Sequence, residues 1–206
     1  MRDCIRFPVD NGGLLLFPAL FAQDGARLFD ALQREAHWEQ HAIHLFGRRI
    51  PAPRLSAWHG EPGCDYRYSG TSYAPAPLSA AMRAVRARIE DLLEREFNAV
   101  LLNLYRDGND AMSWHSDDEA ELGPAPCVAS VSLGATRRFL LRSRADHARR
   151  FALDLPGGSL LLMEPPLQAH WQHALPRTRR PCGPRLNLTW RRIHGGAAIA
   201  GQGAAP

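Results

Sequence analysis

The pattern of apolar positions divides the chain into a part with helices and a part with strands. Apolar side chains recur every three or four positions over residues 78–97, after Pro77, which predicts a helix with one buried face. The same period predicts an amphipathic helix over residues 23–37. A short apolar run at residues 14–17 is typical of a strand, whereas residues 1–12 have no regular pattern and are predicted to form an irregular arm.

Short strands dominate from residue 99 onwards. The segments predicted as strands, most of them bounded by Gly or Pro, are 99–105, 127–133, 138–142, 151–155, 159–163, 171–174 and 186–192. Strands of this length and spacing are typical of a double-sheet jelly roll or a sandwich. We therefore expect an α+β fold dominated by β structure, with the two helices packed on one sheet. Residues 41–50, 54–58 and 66–68 are also predicted to be extended.

The composition indicates one globular domain. A chain of 206 residues with 45% hydrophobic residues can bury a sizeable core, and no apolar run reaches the length that would predict a membrane span. The four Cys residues are scattered without a C-x-x-C pair, which favours reduced thiols and a cytoplasmic location. Residues 195–206 are rich in Gly and Ala and are predicted to be a disordered tail.

The charge of the chain favours an anionic partner. The net charge is +4, and all 25 basic residues are Arg. Arginine pairs or clusters occur at residues 48–49, 137–138, 149–150, 177–180 and 191–192. One such cluster alone is typical of a solvated surface, whereas several around one site would bind a phosphate backbone.

A candidate metal site begins with His115-Ser-Asp117. Residues two apart on an extended backbone point the same way, so the imidazole and the carboxylate face one point. They would be two of the three ligands of a 2-His-1-carboxylate triad, which suits Fe(II); a surface polar pair is the alternative. His170 and His173 are candidates for the third ligand. Because they are three apart, only one of them can face the same point if the segment is a strand.

A candidate anion site follows from the strict alternation of residues 185–191. Arg185, Asn187, Thr189 and Arg191 share one face, and the other face is apolar. We expect the apolar face to pack on a sheet and the polar face to look into the barrel. Two inward Arg need an anion, which is either an internal Asp or Glu or a dicarboxylate. For a dicarboxylate, further hydrogen bonds would come from Asn103 and Tyr105, which share one face of strand 99–105. A metal triad beside such a clamp predicts a 2-oxoglutarate-dependent oxygenase.

Over residues 46–193 the sequence resembles the AlkB family of Fe(II)/2-oxoglutarate dioxygenases. The matching segments occur in the family's order and include His115-Ser-Asp-Asp-Glu119, Trp171-Gln-His-Ala-Leu-Pro176 and Pro184-Arg-Leu-Asn-Leu-Thr-Trp-Arg191. The resemblance implies a double-stranded β-helix (jelly roll) core at about residues 99–193. With the length of the chain, we expect a single catalytic domain over residues 1–194. It also implies a nucleotide-recognition lid at about residues 40–76.

The same resemblance assigns roles to individual residues. It implies that Fe(II) is bound by His115, Asp117 and His173, and so it selects His173 over His170. It implies that Arg185 pairs with the distal carboxylate of 2-oxoglutarate and that Arg191 lies at the keto-acid end. The remaining residues of that pocket would be Asn103, Tyr105, Asn187 and Thr189.

Substrate contacts are implied in the lid and beside the metal ligands. Tyr68 would stack on a flipped base, with Tyr66 packing on the same short strand, and Asp118 would lie near the exocyclic edge of the base. Phe46 resembles an apolar finger that enters the vacated base stack. A buried anchor of the N-terminal strand is an equally good interpretation of Phe46.

The implied reaction is direct-reversal repair of N-alkylated bases of the 1-methyladenine and 3-methylcytosine type in DNA. It would consume Fe(II)-activated O2 and 2-oxoglutarate and release succinate, CO2 and formaldehyde. We expect a monomer that acts on single- or double-stranded alkylated DNA and binds no membrane. One alternative is the same oxygenase chemistry on RNA, a protein side chain or a small molecule. A second alternative is a non-catalytic nucleic-acid-binding module on the same fold.

Overall fold

The protein is described here by a computed structural model that covers residues 3–45, 48–68 and 71–194. Three α-helices and fifteen strands lie in these ranges, besides one short 3-10 helix (Ala120–Leu122). In chain order they are β1 (Ile5–Arg6), β2 (Gly13–Phe17), α1 (Gly25–Glu35), β3 (Ala42–Leu45), β4 (Arg48–Pro51), β5 (Leu55–Gly60), β6 (Tyr66–Tyr68), β7 (Thr71–Tyr73), α2 (Ala80–Leu93), β8 (Ala99–Tyr105), β9 (Met112–His115), β10 (Val128–Gly134), β11 (Arg137–Ser143), β12 (Arg150–Leu155), β13 (Ser159–Glu164), α3 (Leu167–His170), β14 (Trp171–Leu175) and β15 (Arg185–Arg191).

Two antiparallel sheets form the core of the fold. The larger sheet has seven strands in the order β1-β2-β13-β10-β15-β8-β5, and the smaller has four in the order β12-β11-β14-β9. Two separate hairpins, β3-β4 and β6-β7, lie in the part of the chain expected to form the lid. This strand-rich arrangement confirms the expected jelly roll. No helix within the described ranges is long and apolar enough to cross a membrane.

Helices α1 and α2 cover the outer face of the larger sheet. Their apolar stripes, including Leu32, Met82 and Ile89, share one core cluster with Leu188 and Trp190 of β15. The apolar face of β15 therefore packs against the helices. The expectation from the sequence, that this face packs on a sheet, was wrong. Side chains from both sheets form a second apolar cluster between the sheets. The polar face of β15 lines a pocket together with residues of the smaller sheet, so this face looks into the space between the sheets.

The boundaries of α2 differ from the prediction for a local reason. The helix begins after Ser79, whose hydroxyl accepts a hydrogen bond from the Met82 amide, so Pro77 precedes the helix and does not begin it. It ends at Glu94, which has a left-handed backbone with φ of 51°. Phe97, the last residue of the predicted stripe, is buried in the same core although it lies beyond the helix.

Several short elements were missed or misassigned. Strand β1 lies in the part predicted to be an irregular arm, where it pairs with β2. Strands β7 and β9 and the four-residue helix α3 were not predicted. These segments are too short to display a period, and their conformation depends on neighbours that are distant in sequence.

Candidate active site

The candidate metal ligands meet where two neighbouring strands of the smaller sheet run side by side. His115 is the last residue of β9, and it lies opposite His173 of β14. Their ring centroids are 4.1 Å apart. Asp117 follows two residues after β9, and one ligand atom from each of the three side chains lies within 4.8 Å of the others. His170 is exposed at the end of α3, outside this cluster.

Hydrogen bonds orient the ligand atoms. The Nδ1 atom of His115 is 2.8 Å from the carbonyl oxygen of Ser113, which can only accept, so Nδ1 is the donor and Nε2 remains available as the ligand atom. Asp117 is buried, and its Oδ1 accepts from an Arg191 guanidinium nitrogen at 2.7 Å. Its Oδ2 has no hydrogen-bond partner among the described residues and is 4.0 Å from His173 Nε2.

The protonation states suit a divalent metal. Burial, with the charge of His115, lowers the pKa of His173 to about 3, although Asp117 acts in the opposite direction. Burial raises the pKa of Asp117, but the charges of Arg191, His173 and His115 outweigh it and hold the pKa below its usual range. At neutral pH the cluster therefore contains a neutral imidazole at His173 and an ionised carboxylate. These are the forms that bind metals, and the unpartnered Oδ2 fits a ligand atom.

The polar face of β15 lines the same pocket as these ligands. The four residues of this face are all buried, and they lie beside Asn103 and Tyr105 of the neighbouring strand β8. They are Arg185, Asn187, Thr189 and Arg191. The structure thus brings together all nine residues that the sequence predicted for the metal and 2-oxoglutarate sites.

The two arginines of β15 have different partners. Arg191 pairs with Asp117, so an internal carboxylate, one of the two alternatives from the sequence, does contact it. Arg185 donates to Ser132 Oγ at 2.8 Å, and its guanidinium carbon is 5.3 Å from the centre of the Tyr105 ring. Its Nε has no acceptor, and no carboxylate pairs with it among the described residues. Burial lowers the pKa of Arg185 to about 10, so the guanidinium remains charged at neutral pH.

The two asparagines of the pocket are held differently. Asn103 Oδ1 accepts from Arg54 Nε at 3.1 Å and from Ser56 Oγ at 2.9 Å, so its amide donor remains for the pocket. Both donor contacts of Asn187 Nδ2 go to β10, to the Ser130 hydroxyl and the Val131 carbonyl. Asn187 therefore joins two strands and leaves its donors no role in binding a carboxylate.

Three arginines around the site were not predicted from the sequence; Arg54 and Arg137 are buried, and Arg144 is exposed. Arg54 orients Asn103. It could have been predicted, because it lies two residues before Ser56 on a segment predicted to be extended, so the two side chains share one face. Arg137 is buried and donates to the backbone carbonyls of Asp107, Asp110 and Pro176, which fixes the loop after β8. Arg144 pairs with Asp118 at 2.6 Å. Contacts of this kind join segments that are distant in sequence, so no local pattern predicts the roles of Arg137 and Arg144.

The candidate substrate residues are described less completely. Asp118 is half exposed, next to the metal cluster in sequence. Tyr66 and Tyr68 lie on β6, which pairs with β7. Phe46 lies outside the described residues. The structure therefore places the backbone of β6 but bears on no side-chain contact of the two tyrosines with a base.

Comparisons with known proteins agree with this geometry. The sequence model of the 2OG-Fe(II) oxygenase superfamily matches residues 13–191. The DNA oxidative demethylase ALKBH2 of Mus musculus is 39% identical over 188 residues, which are 86% of this chain and 79% of that protein. The alpha-ketoglutarate-dependent dioxygenase alkB homolog 3 of Homo sapiens is 36% identical over 197 residues, which are 91% of this chain and 68% of that protein.

The fold is also similar to that of a solved protein. The structure of OsALKBH1 has a TM-score of 0.67 at 16% identity, over 91% of this chain and 100% of that chain. The superfamily match together with the His-Asp-His cluster shows an enzyme that uses Fe(II), 2-oxoglutarate and O2. The chain belongs to the AlkB family within the 2OG-Fe(II) oxygenase superfamily.

Proposed function

We propose that the enzyme oxidatively removes methyl groups from the ring nitrogens of alkylated DNA bases such as 1-methyladenine and 3-methylcytosine. Several relatives that cover most of the chain are named DNA oxidative demethylases. The excess of arginine fits a polyanionic substrate.

His115, Asp117 and His173 would hold the iron in this proposal. The support is the closeness of their ligand atoms, the neutral state of His173 and the unpartnered Oδ2 of Asp117. When bound, iron with 2-oxoglutarate and O2 supplies oxidation of the methyl group, with succinate, CO2 and formaldehyde as products. Arg191 neutralises Asp117 in the buried site and leaves one carboxylate oxygen for the metal.

Arg185 would bind the distal carboxylate of 2-oxoglutarate, with Tyr105 beside it. Arg191 contacts Asp117 of the metal cluster. Thr189 and Asn103 line the same pocket, and the amide donor of Asn103 completes the pocket wall. A guanidinium can form two parallel hydrogen bonds to a carboxylate, which gives both affinity and orientation. The dicarboxylate would thus reach from Arg185 to the metal ligands.

The substrate base would enter beside Asp118. The pairing of Asp118 with Arg144 holds one carboxylate oxygen, and the other could accept from an exocyclic amino group. Tyr68, with Tyr66 beside it, would stack on the base, and Phe46 would fill the gap in the duplex. Extrusion of a base costs a few kcal/mol, least where alkylation already prevents pairing, so damaged bases are extruded preferentially.

One observation carries the proposal, namely that a buried Arg185 without a carboxylate partner shares a pocket with the metal cluster. A hydrolytic metal site has no need of this charge, and neither has a non-catalytic nucleic-acid-binding module. A 2-oxo dicarboxylate satisfies both features at once.

The test is mass spectrometry of 3-methylcytosine oligonucleotides incubated with protein, Fe(II), 2-oxoglutarate and air. Single-stranded DNA, double-stranded DNA and RNA are compared. We expect loss of the methyl group from DNA, dependent on 2-oxoglutarate. Succinate without demethylation of any oligonucleotide would reject the nucleic-acid substrate, and faster loss from RNA would reject DNA as the preferred one.

Two histidine variants provide the matched control. His173→Ala removes a candidate ligand and should abolish turnover, whereas His170→Ala changes an exposed residue outside the cluster and should preserve it. Equal activity of the two variants would refute the assigned metal site.

A further inference from the structure

The carboxylate of the metal cluster is carried by backbone outside the sheets. Asp117 lies in residues 116–119, which belong to neither a strand nor a helix. Its amide N–H donates to Oε1 of Gln168 at 3.0 Å. A metal ligand on irregular backbone needs contacts from elsewhere to hold its position, and this bond is one of them.

Gln168 is suited to provide this contact. It is only 1% exposed and lies on α3, which immediately precedes the strand of His173. Its Nε2 faces Met163 Sδ at 3.5 Å. Because a thioether is a weak acceptor, the amide of Asp117 is the stronger of the two partners and determines which way the carboxamide points.

The neighbours of Asp117 are fastened to the same part of the chain. The Ser116 hydroxyl donates to the carbonyl of Trp171 at 3.0 Å. Arg144 joins the Asp118 carboxylate, at 2.6 Å, to the carbonyl of Gln168, at 3.4 Å. Three consecutive residues are thus connected to the α3–β14 segment, and the central connection is the buried one.

We infer that Gln168 is a positioning residue for the metal site, which acts by fixing the backbone of Asp117. The inference rests on the proposed metal-binding role of Asp117. Gln168 holds the backbone and Arg191 holds Oδ1, so the two contacts together define where Oδ2 lies. Without the acceptor of Gln168, the buried N–H of Asp117 seeks another partner and the carboxylate moves with it.

The first measurement is the affinity for Co(II) alone, by competition with a fluorescent chelator, in the full-length protein. Gln168→Met keeps the length of the side chain and removes the acceptor. We expect its Co(II) affinity to be about 10- to 100-fold weaker, the usual effect of losing a contact behind a metal ligand. Gln168→Asn, which withdraws the acceptor by one methylene, should weaken binding in the same direction and serves if Gln168→Met does not fold.

Gln172→Met is the matched control. Gln172 is four residues away on β14, and its Oε1 accepts from Arg142 Nε and not from the metal-ligand segment. Its Co(II) affinity should equal that of the parent protein. Equal losses in the Gln168 and Gln172 variants would show a general effect of disturbing this region and overturn the inference.

A double-mutant cycle separates positioning from a purely structural role. In an Asp117→Ala background, Gln168→Met should weaken Co(II) binding no further, because the ligand through which it acts is gone. Additive losses would overturn the inference. If the parent protein binds Co(II), His115→Ala does not, and Gln168→Met binds normally, only this inference fails. If the parent binds no Co(II), the proposed metal site fails and this inference with it.

Discussion

Asp117 combines two demands that normally conflict, burial and charge. A buried carboxylate is costly unless it is paired, and Arg191 provides the pair at 2.7 Å without covering Oδ2. His173 meets the same demand differently, since burial keeps it neutral. The cluster is therefore ready to take up a dication without first losing a proton at His173.

The low pKa of His173 predicts how stability depends on pH in metal-free protein. The folded pKa is about 3, below the value of 6.5 for an unperturbed histidine. Between pH 6.5 and pH 3 the unfolded chain binds a proton at this histidine and the folded chain does not. The contribution of His173 to the free energy of unfolding is therefore fully present above pH 6.5 and is lost as the pH falls through 3. The lowered pKa of Asp117 acts in the same direction in more acidic solution. The free energy of unfolding should fall by up to about 1.4 kcal/mol per pH unit from His173 alone.

Urea unfolding between pH 7 and pH 4, in the presence of EDTA, measures this slope. His173→Gln should flatten it, whereas His147→Gln, at an exposed position, should leave it unchanged. Identical slopes for the parent protein and His173→Gln would contradict the assigned state of the cluster.

At the scale of elements, the sequence predicted those segments whose period is set by burial. The stripe of α2 and the alternation of β15 were visible because each has one face in the helix–sheet core. Strand β9 was not predicted, since its four residues are too few to display a period and none of them is fully buried at the edge of the smaller sheet. The residues of the pocket could be listed from the sequence, but the orientation of Asn103 could not, because Arg54 and Ser56 determine it.

Because α2 covers the larger sheet, truncating one of its buried apolar side chains should lower the free energy of unfolding substantially. Ile89 is fully buried in the core that α2 shares with β15. Ile89→Ala should lower the free energy of unfolding by about 2 to 5 kcal/mol, because it removes apolar contacts and leaves a cavity. Exposed Ala84 is the control, and Ala84→Lys should change stability by less than about 0.5 kcal/mol. Urea unfolding of both variants provides the comparison, and similar small effects would refute this packing.

At the scale of the whole molecule, the two sheets contribute different parts of one site. The smaller sheet and the segment after β9 carry the proposed metal ligands. Two neighbouring inner strands of the larger sheet, β15 and β8, carry Arg185 and Asn103. The expected tail at 195–206 lies outside the described residues. The single catalytic domain, the monomeric state and the cytoplasmic location stay predictions.

Because the proposed metal and 2-oxoglutarate sites lie on different sheets of one fold, binding of both ligands should stabilise the folded protein. With Co(II) present, 2-oxoglutarate at a hundred times its Kd should raise the free energy of unfolding by about 2.7 kcal/mol. Pyruvate, which lacks the distal carboxylate, should give less at the same concentration. Arg185→Met should lose the response to 2-oxoglutarate and keep the response to Co(II). Thermal unfolding monitors both, and an undiminished response to 2-oxoglutarate in Arg185→Met would exclude Arg185 as the carboxylate partner.

The division of the site between two sheets determines when, during folding, the site is complete. His115 and His173 can meet Arg185 only after the sheets have docked, so a nascent or partly unfolded chain has no place where metal and co-substrate are held together. Under the proposed assignments, docking of the two sheets would be the step that completes the active site. The architecture would then confine oxidation to chains that have finished folding, because only these hold the proposed iron site and the proposed 2-oxoglutarate site together.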